Sequence, residues 1–291
     1  MSTPEAAARL LQARTRAELW SATRPWRLAG ERIALVPTMG NLHTGHLALV
    51  TAAQQHADRV VCSIYVNPTQ FGAGEDFEKY PRTVAADLYG LAGVGCDLAF
   101  LPDDTTMYPG SLADSARVIA PPSLAGVLEG AFRPGHFDGV VTVVARLFNL
   151  CRPDVAVFGE KDYQQLLIVR RLVEDLGYPL EIVPVPTVRE AGALALSSRN
   201  RYLDEEGRRT AVLLSEVLRD TAARVAADEA PHAELEEAAR DRLEKGGFRV
   251  DYVAVRRCTD LARGRRGESG LRVLAAAWLG ETRLIDNWPA A

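Results

Sequence analysis

Short apolar runs, each four to seven residues long and each followed by a turn and a helix-length stretch, recur through the first two thirds of the 291-residue chain. Residues 33–37 (IALVP) lead into the turn-forming Thr38-Met39-Gly40-Asn41 and then a helical segment at 47–53. Next come 60–66 (VVCSIYV), a helix over 83–91, 98–101 (LAFL), a helix over 140–150, 155–158 (VAVF), a helix over 163–176, and 182–185. A strand that is apolar at consecutive positions has both faces covered, and a helix between successive strands makes those strands parallel. The spacing predicts an α/β fold built on a doubly wound parallel sheet. In such sheets ligands gather beyond the carboxyl ends of the strands.

After Thr187 the texture changes. Residues 204–227 and 233–245 are long charged-and-alanine helical patterns, and 250–255, 271–279 and 282–285 are strand candidates, so a small α+β domain is expected there. The expected division is 1–187 and 188–291, with Pro184 and Pro186 making the connector stiff. The first twenty residues mix Glu5 and Glu18 with arginines at helical spacing and read as an amphipathic first helix, not a leader peptide. No apolar run approaches the roughly 18 residues that cross a bilayer, so no membrane association is expected. The formal charge, 34 Lys+Arg against 38 Asp+Glu or −4, excludes a generic polyanion binder, and no nucleic-acid partner is expected. Cys62, Cys96, Cys151 and Cys258 form no C-x-x-C pair, which fits a reducing cytoplasm.

Chemistry-bearing residues cluster at the strand ends. His43-Thr44-Gly45-His46 lies between the first strong strand and its helix, where unpaired N–H groups and the positive end of the helix dipole suit a phosphate. Two imidazoles there can donate to a phosphoryl group, with Gly45 allowing close approach; the other reading is a helix cap and a packed ring. Gly159-Glu160-Lys161-Asp162 follows the strand VAVF. Lysine there is a compact charge for phosphate, although the same string also suits an exposed turn. Only three lysines, at 79, 161 and 245, stand beside 31 arginines, which singles out Lys161. Leu196-Ser197-Ser198-Arg199 offers hydroxyls and a guanidinium to a triphosphate, or caps a helix. Gln165 and the Asn67–Gln70 loop carry neutral amides that can hold hydroxyl or carboxylate groups. Asp87 suits a hydrated Mg2+ ion or a solvated helix face, and His136 reads as a cap or a supporting group.

Taken together, VPTMGNLHTGH (36–46), SIYVNPTQF (63–71), YPRT (80–83), RPGHF (133–137), FGEKDYQQL (158–166), ALSSRNRYL (195–203) and AAWLGETRLIDN (276–287) resemble the pantothenate synthetase family in order and spacing, over residues 33–287. The resemblance implies a Rossmann-like nucleotide- and pantoate-binding domain and a small C-terminal lid domain. It also implies a homodimer and a ligase that joins pantoate to β-alanine with ATP and Mg2+, releasing AMP and pyrophosphate. On it, Met39, Gly40, Asn41, Leu42, His43, Thr44, Gly45 and His46 form the ATP-binding HxGH loop, with His46 the proton donor and His43 assisting. Gly159, Glu160, Lys161 and Asp162 meet ribose and phosphates, Val188 meets adenine through its backbone, and Leu196, Ser197, Ser198 and Arg199 close on the triphosphate. Gln70, Gln165, Asn67 and Met39 hold pantoate and β-alanine.

Two departures stand out. Thr69 occupies a position where the family often has methionine, which is expected to reshape the pantoate pocket slightly. Residues 190–194 (EAGAL) replace an expected Asp-Gly-Leu, which leaves the course of that segment open. Two other readings compete. A different nucleotidyltransferase or an aminoacyl-tRNA synthetase fragment is one; the latter lacks any basic, aromatic-rich tRNA-binding extension. A nucleotide-sensing module is the other, but a sensor needs affinity and no transition-state donors, whereas His43, His46, Lys161 and Arg199 are all present.

Overall fold

The computed structural model describes residues 10–72, 74–190 and 193–290. The chain divides into two compact units. One takes the residues up to Ala120, then Arg133–Glu160 and Ile168–Pro186; the other takes Pro121–Phe132, Lys161–Leu167 and Thr187 onward. The single cut expected at 187/188 differs from this, because the second unit also takes two earlier segments.

In the first unit six strands form one parallel sheet in the order β1-β4-β3-β2-β5-β6. They are β1 (Leu11–Ala13), β2 (Ile33–Thr38), β3 (Arg59–Ile64), β4 (Leu98–Phe100), β5 (Val155–Gly159) and β6 (Glu181–Val185). Helices α1 (Arg16–Leu28), α2 (Thr44–Ala53), α3 (Val84–Gly93) and α4 (His136–Cys151) connect them. Ala34, Val36, Val60, Cys62, Ala99, Val155 and Val157 are buried in one core cluster with Leu91 of α3 and Val50 of α2. From β2 the chain steps out through β3 to β4 and then returns to place β5 on the other side of β2. The strand order reverses between β2 and β5, and that is where a doubly wound sheet opens its ligand crevice.

The expected amphipathic first helix is corrected in part. Residues 1–9 lie outside the described residues. Leu11–Ala13 is a strand, tied to the sheet edge by Leu11 N–H to Asp97 O (2.9 Å) and by Leu101 N–H to Ala13 O (2.8 Å). The helix begins only at Arg16, because Thr15 and Glu18 form a capping box that places the N-cap at Thr15.

The second unit carries an antiparallel sheet, β7 (Arg249–Arg257), β8 (Leu271–Leu279) and β9 (Thr282–Ala290), with α6 (Glu205–Ala226) and α7 (His232–Lys245). Between β5 and β6 along the chain, α5 runs over Tyr163–Leu176. Leu214, Leu218 and Leu243 share a buried cluster with Val273, Ala275 and Leu284. Strand β9 runs five residues past the expected end at 285. Asp286 and Asn287, just beyond that end, are buried polar residues with partners. Pro289 is tolerated because β9 lies at the sheet edge. Among the described residues no helix is long and apolar enough to cross a membrane.

Candidate active site

In the first unit the loop leaving β2 is built on hydrogen bonds to its backbone. The Thr38 hydroxyl donates to Ser63 O (2.7 Å) and accepts from Gly40 N–H (3.2 Å). Gly40 sits at φ +82°, and a Cβ there would lie 2.9 Å from Ile64 Cγ2 and 3.1 Å from an Asp87 oxygen, so only glycine fits. Beneath the loop Asp87 is 2% exposed. Its carboxylate accepts from Asn41 N–H (3.0 Å), Leu42 N–H (2.8 Å) and the Thr83 hydroxyl (3.0 Å). The expectation that Asp87 holds magnesium or faces solvent gives way to this geometry: the carboxylate is already engaged by the loop it supports.

His43 is the N-cap of α2 and His46 is its third residue, and together they form a capping box made of two imidazoles. Gly45 N–H donates to His43 Nδ1 (3.2 Å), and His43 N–H donates more weakly to His46 Nδ1 (3.4 Å). A ring nitrogen that accepts from an amide carries no proton, so in both neutral rings the proton sits on Nε2. The rings lie 4.0 Å apart between centroids. Of the two sequence alternatives, capping is what the geometry shows: both Nδ1 atoms accept from backbone amides. Met39, Gly40, Asn41, Leu42, Thr44 and Gly45 supply the rest of the loop.

The turn after β3 sets Gln70. Three donors meet Asn67 Oδ1: the Tyr108 hydroxyl (2.7 Å), the Thr69 hydroxyl (3.0 Å) and Thr69 N–H (3.4 Å). Burial pushes the Tyr108 hydroxyl above its ordinary pKa, so it remains a donor. Asn67 Nδ2 therefore gives its protons to Gly139 O (3.2 Å) and Gln70 Oε1 (3.1 Å). This orients the Gln70 amide, whose Nε2–H group reaches Met39 Sδ at 2.9 Å. Thr69, the departure noted in the sequence, acts through Asn67 rather than by changing bulk alone. A cavity of about 210 Å³ lies alongside, lined by Thr69, Gln70, Tyr108, Arg117, His136 and Asp138 among others.

Gly159 ends β5 and, with Glu160, closes the first unit's part of the GEKD loop; Lys161 begins a segment of the second unit. There Lys161 Nζ stands 3.8 Å from Asp162 Oδ1, and its carbonyl accepts from Asn287 Nδ2 of β9 (2.9 Å). The Asn287 Oδ1 in turn accepts from Arg272, whose guanidinium lies 4.0 Å from the centre of the Tyr163 ring. Of the paired glutamines, Gln164 is buried and holds the backbone of 124–129 through Leu124 O (2.6 Å), Val127 O (2.8 Å) and Glu129 N–H (3.1 Å). Its half-buried neighbour Gln165 makes no such bonds among the described residues.

Also in the second unit, Ser197 caps the short 3-10 helix Ser198–Tyr202, its hydroxyl accepting from Arg199 N–H (3.3 Å) and keeping its own proton to give. Asn200, buried behind the loop, donates to Ala195 O (3.0 Å) and Glu190 Oε1 (3.1 Å). Leu196 N–H donates to Val188 O (3.0 Å), which ties the 196–199 loop to the backbone at Val188. Beside it Arg189 forms a bidentate pair with Asp286 (2.7 and 2.9 Å) and stacks 4.3 Å from the Trp288 ring centre. Ala191 and Gly192, in the departure from the family pattern, lie outside the described residues.

Asp87's clamp, Tyr108, Asn287, Arg272 and Arg189 went unread in the sequence as parts of the site. Each acts on a residue tens of positions away, and no local spacing signals that.

The comparisons with known proteins come to the same place. Residues 12–289 match the family model described as pantoate-beta-alanine ligase. The chain is 56% identical over 263 residues to a pantothenate synthetase of Xanthomonas euvesicatoria, covering 90% of this chain and 93% of that one. It is 51% identical over 278 residues to the one of Azotobacter vinelandii, covering 96% and 98%. Among solved structures, pantothenate synthetase from Thermus thermophilus superposes with a TM-score of 0.89 at 46% identity, over 96% of this chain and 99% of that one. The Francisella tularensis ligase, complexed with beta-gamma ATP and beta-alanine, gives 0.81 at 31% identity, over 97% and 98%.

Proposed function

The chain belongs to the pantoate–β-alanine ligase family, and from that premise we propose that it condenses pantoate with β-alanine to pantothenate, using ATP and releasing AMP and pyrophosphate. The observation that carries the reading is the double-histidine cap, which sets two imidazoles at a helix N-terminus beyond the carboxyl end of β2, each with its Nδ1 accepting from a backbone amide.

A pantoate carboxylate oxygen attacks the α-phosphorus of ATP, and the bond to the bridging oxygen of pyrophosphate breaks. The carboxylate is ionised at neutral pH and needs no base. His46 and His43 donate to phosphoryl oxygens as charge gathers there, and Lys161 and Arg199 neutralise the phosphates. The Gln70 amide, its oxygen held by Asn67, presents N–H to the pantoate oxygens, and Gln165 is the second amide. The adenine meets the Val188 amide, while Gly159, Asp162 and the 196–199 loop receive ribose and phosphates. In the second half the neutral amine of β-alanine attacks the carbonyl carbon of pantoyl adenylate, the amine loses a proton, and AMP leaves with the former carboxylate oxygen.

Magnesium as a resident, protein-held ion does not fit the donor set. Among the described residues no group of three or more His, Cys, Asp or Glu side chains converges, and the Asp87 oxygens are taken. Mg2+ is accordingly proposed as a companion of the triphosphate, which needs few protein ligands, and no step is assigned to it. Free cysteines, three of them buried, support a cytoplasmic location. A homodimer is proposed as well, checked by a sedimentation mass twice the 31.7 kDa of the chain.

The test of function is direct. Purified protein with ATP, Mg2+ and pantoate should release pyrophosphate only when pantoate is present, and AMP should appear on adding β-alanine. No turnover in either condition would overturn the reading.

A further inference from the structure

Gln70 is held by its backbone as well as by its side chain. Its carbonyl accepts from His136 Nδ1 at 2.8 Å and from Arg133 at 3.3 Å. A carbonyl cannot donate, so the His136 proton lies on Nδ1. The other ring nitrogen, Nε2, stands 3.2 Å from an Arg133 guanidinium nitrogen, and guanidinium cannot accept, so Nε2 carries no proton. Geometry thereby fixes one tautomer. Arg133 itself is locked by a bidentate pair to Glu75 (2.8 and 2.6 Å), with its side chain 14% exposed.

His136 is the first residue of α4, yet no side chain caps that helix; its N-cap is Gly135. The ring instead reaches back to a backbone 66 positions earlier. The same end of α4 seats the 68–70 turn by shape. A Cβ at Gly139 would lie 2.2 Å from Thr69 O and 2.7 Å from Gln70 N, so helix and turn backbones meet directly.

We infer that His136, kept as the neutral Nδ1–H tautomer by the Arg133–Glu75 pair, is a positioning residue that sets Gln70 for pantoate by donating to its carbonyl. This rests on the reading of Gln70 as a pantoate ligand. Moving the carbonyl rotates the Gln70 peptide and carries its amide away from Asn67, so the effect falls on pantoate and leaves the nucleotide loop in place.

Two substitutions separate this role from plain packing. The amide nitrogen of asparagine occupies the place of histidine Nδ1 and can still donate to the Gln70 carbonyl; glutamine reaches the place of Nε2 and cannot. His136→Gln should raise KM for pantoate about tenfold, the size of one lost hydrogen bond, while His136→Asn stays within about threefold. In both, KM for ATP should change by less than about twofold. Equal loss in the two variants, no loss in either, or an ATP KM that rises in step with pantoate would overturn the inference. Gln70→Ala is the control: if its pantoate KM matches the parent, the reading of Gln70 fails and takes the inference with it. If it rises while His136→Gln is silent, only the inference fails.

Discussion

At the scale of single residues, the two imidazoles of the β2–α2 loop carry the strongest chemical statement, because their own backbone dictates where their protons sit. If His46 is a transition-state donor, His46→Ala should slow pantoate-dependent pyrophosphate release by roughly 10²–10³, in line with the loss of one oxyanion donor. Near-parental release would remove it from that role. The HTGH string was legible because both partners of each hydrogen bond lie within three residues. Asp87 was misread because its two backbone donors are 45 and 46 residues away and the sequence around it looks like an ordinary exposed helix. Its role has its own test. In Asp87→Asn an amide NH2 replaces one acceptor and faces a backbone N–H, leaving a buried donor without a partner at a cost of about 1–3 kcal/mol. Urea unfolding should register that loss, and KM for ATP should rise at least about fivefold as the loop loosens. Unchanged values of both would show that the loop holds itself.

At the scale of elements, the period of the apolar runs was a reliable guide wherever both faces of a strand are covered, as in β2, β3 and β5. It failed where hydrogen-bond partners decide the matter. β1 is a strand because β4 offers an edge, and β9 continues through Asp286 and Asn287 because Arg189, Arg272 and the Lys161 carbonyl receive them. The tie between Glu75 and the residues leading into α4 was equally invisible, since it depends on Arg133 meeting Glu75 across 58 positions. That pair has a pH signature. Burial pushes the Glu75 carboxyl up, but the hydrogen bonds and charge of Arg133 outweigh it and hold it below the ordinary value of 4.5. A carboxyl with a depressed folded value contributes stability above its unfolded pKa and loses it as pH falls through the folded one. The pair therefore persists through neutral pH and releases only at pH values below the ordinary carboxylate range. Glu75→Gln should flatten that part of the stability–pH curve, and an acid limb identical to the parent's would argue that the pair contributes nothing.

At the scale of the whole molecule, the change of texture near residue 187 was readable, but the membership of 121–132 and 161–167 in the second unit was not, since neither differs in composition from its neighbours. Within that unit Glu129 pairs with Arg283, Gln164 binds 124–129, and Asn287 and Arg272 meet Lys161 and Tyr163. A fragment of residues 188–291 alone would strip Arg283 of Glu129, Arg272 of the Tyr163 ring and Asn287 of the Lys161 carbonyl, and breaking a buried ion pair by removing one partner is strongly destabilising. Its thermal unfolding should lack the sharp transition of the full chain; a cooperative melt of the fragment would contradict this account. The bond from Asn287 to Lys161 also bears on the order in which the protein is made. The lysine leaves the ribosome well over a hundred residues before the strand whose Asn287 binds its carbonyl, so that bond forms only when β9 arrives. A long wait for so distant a contact slows folding and exposes the incomplete unit to aggregation. Messages interrupted ahead of β9 would thus yield chains carrying every residue of the HxGH loop and a Lys161 carbonyl without its Asn287 partner.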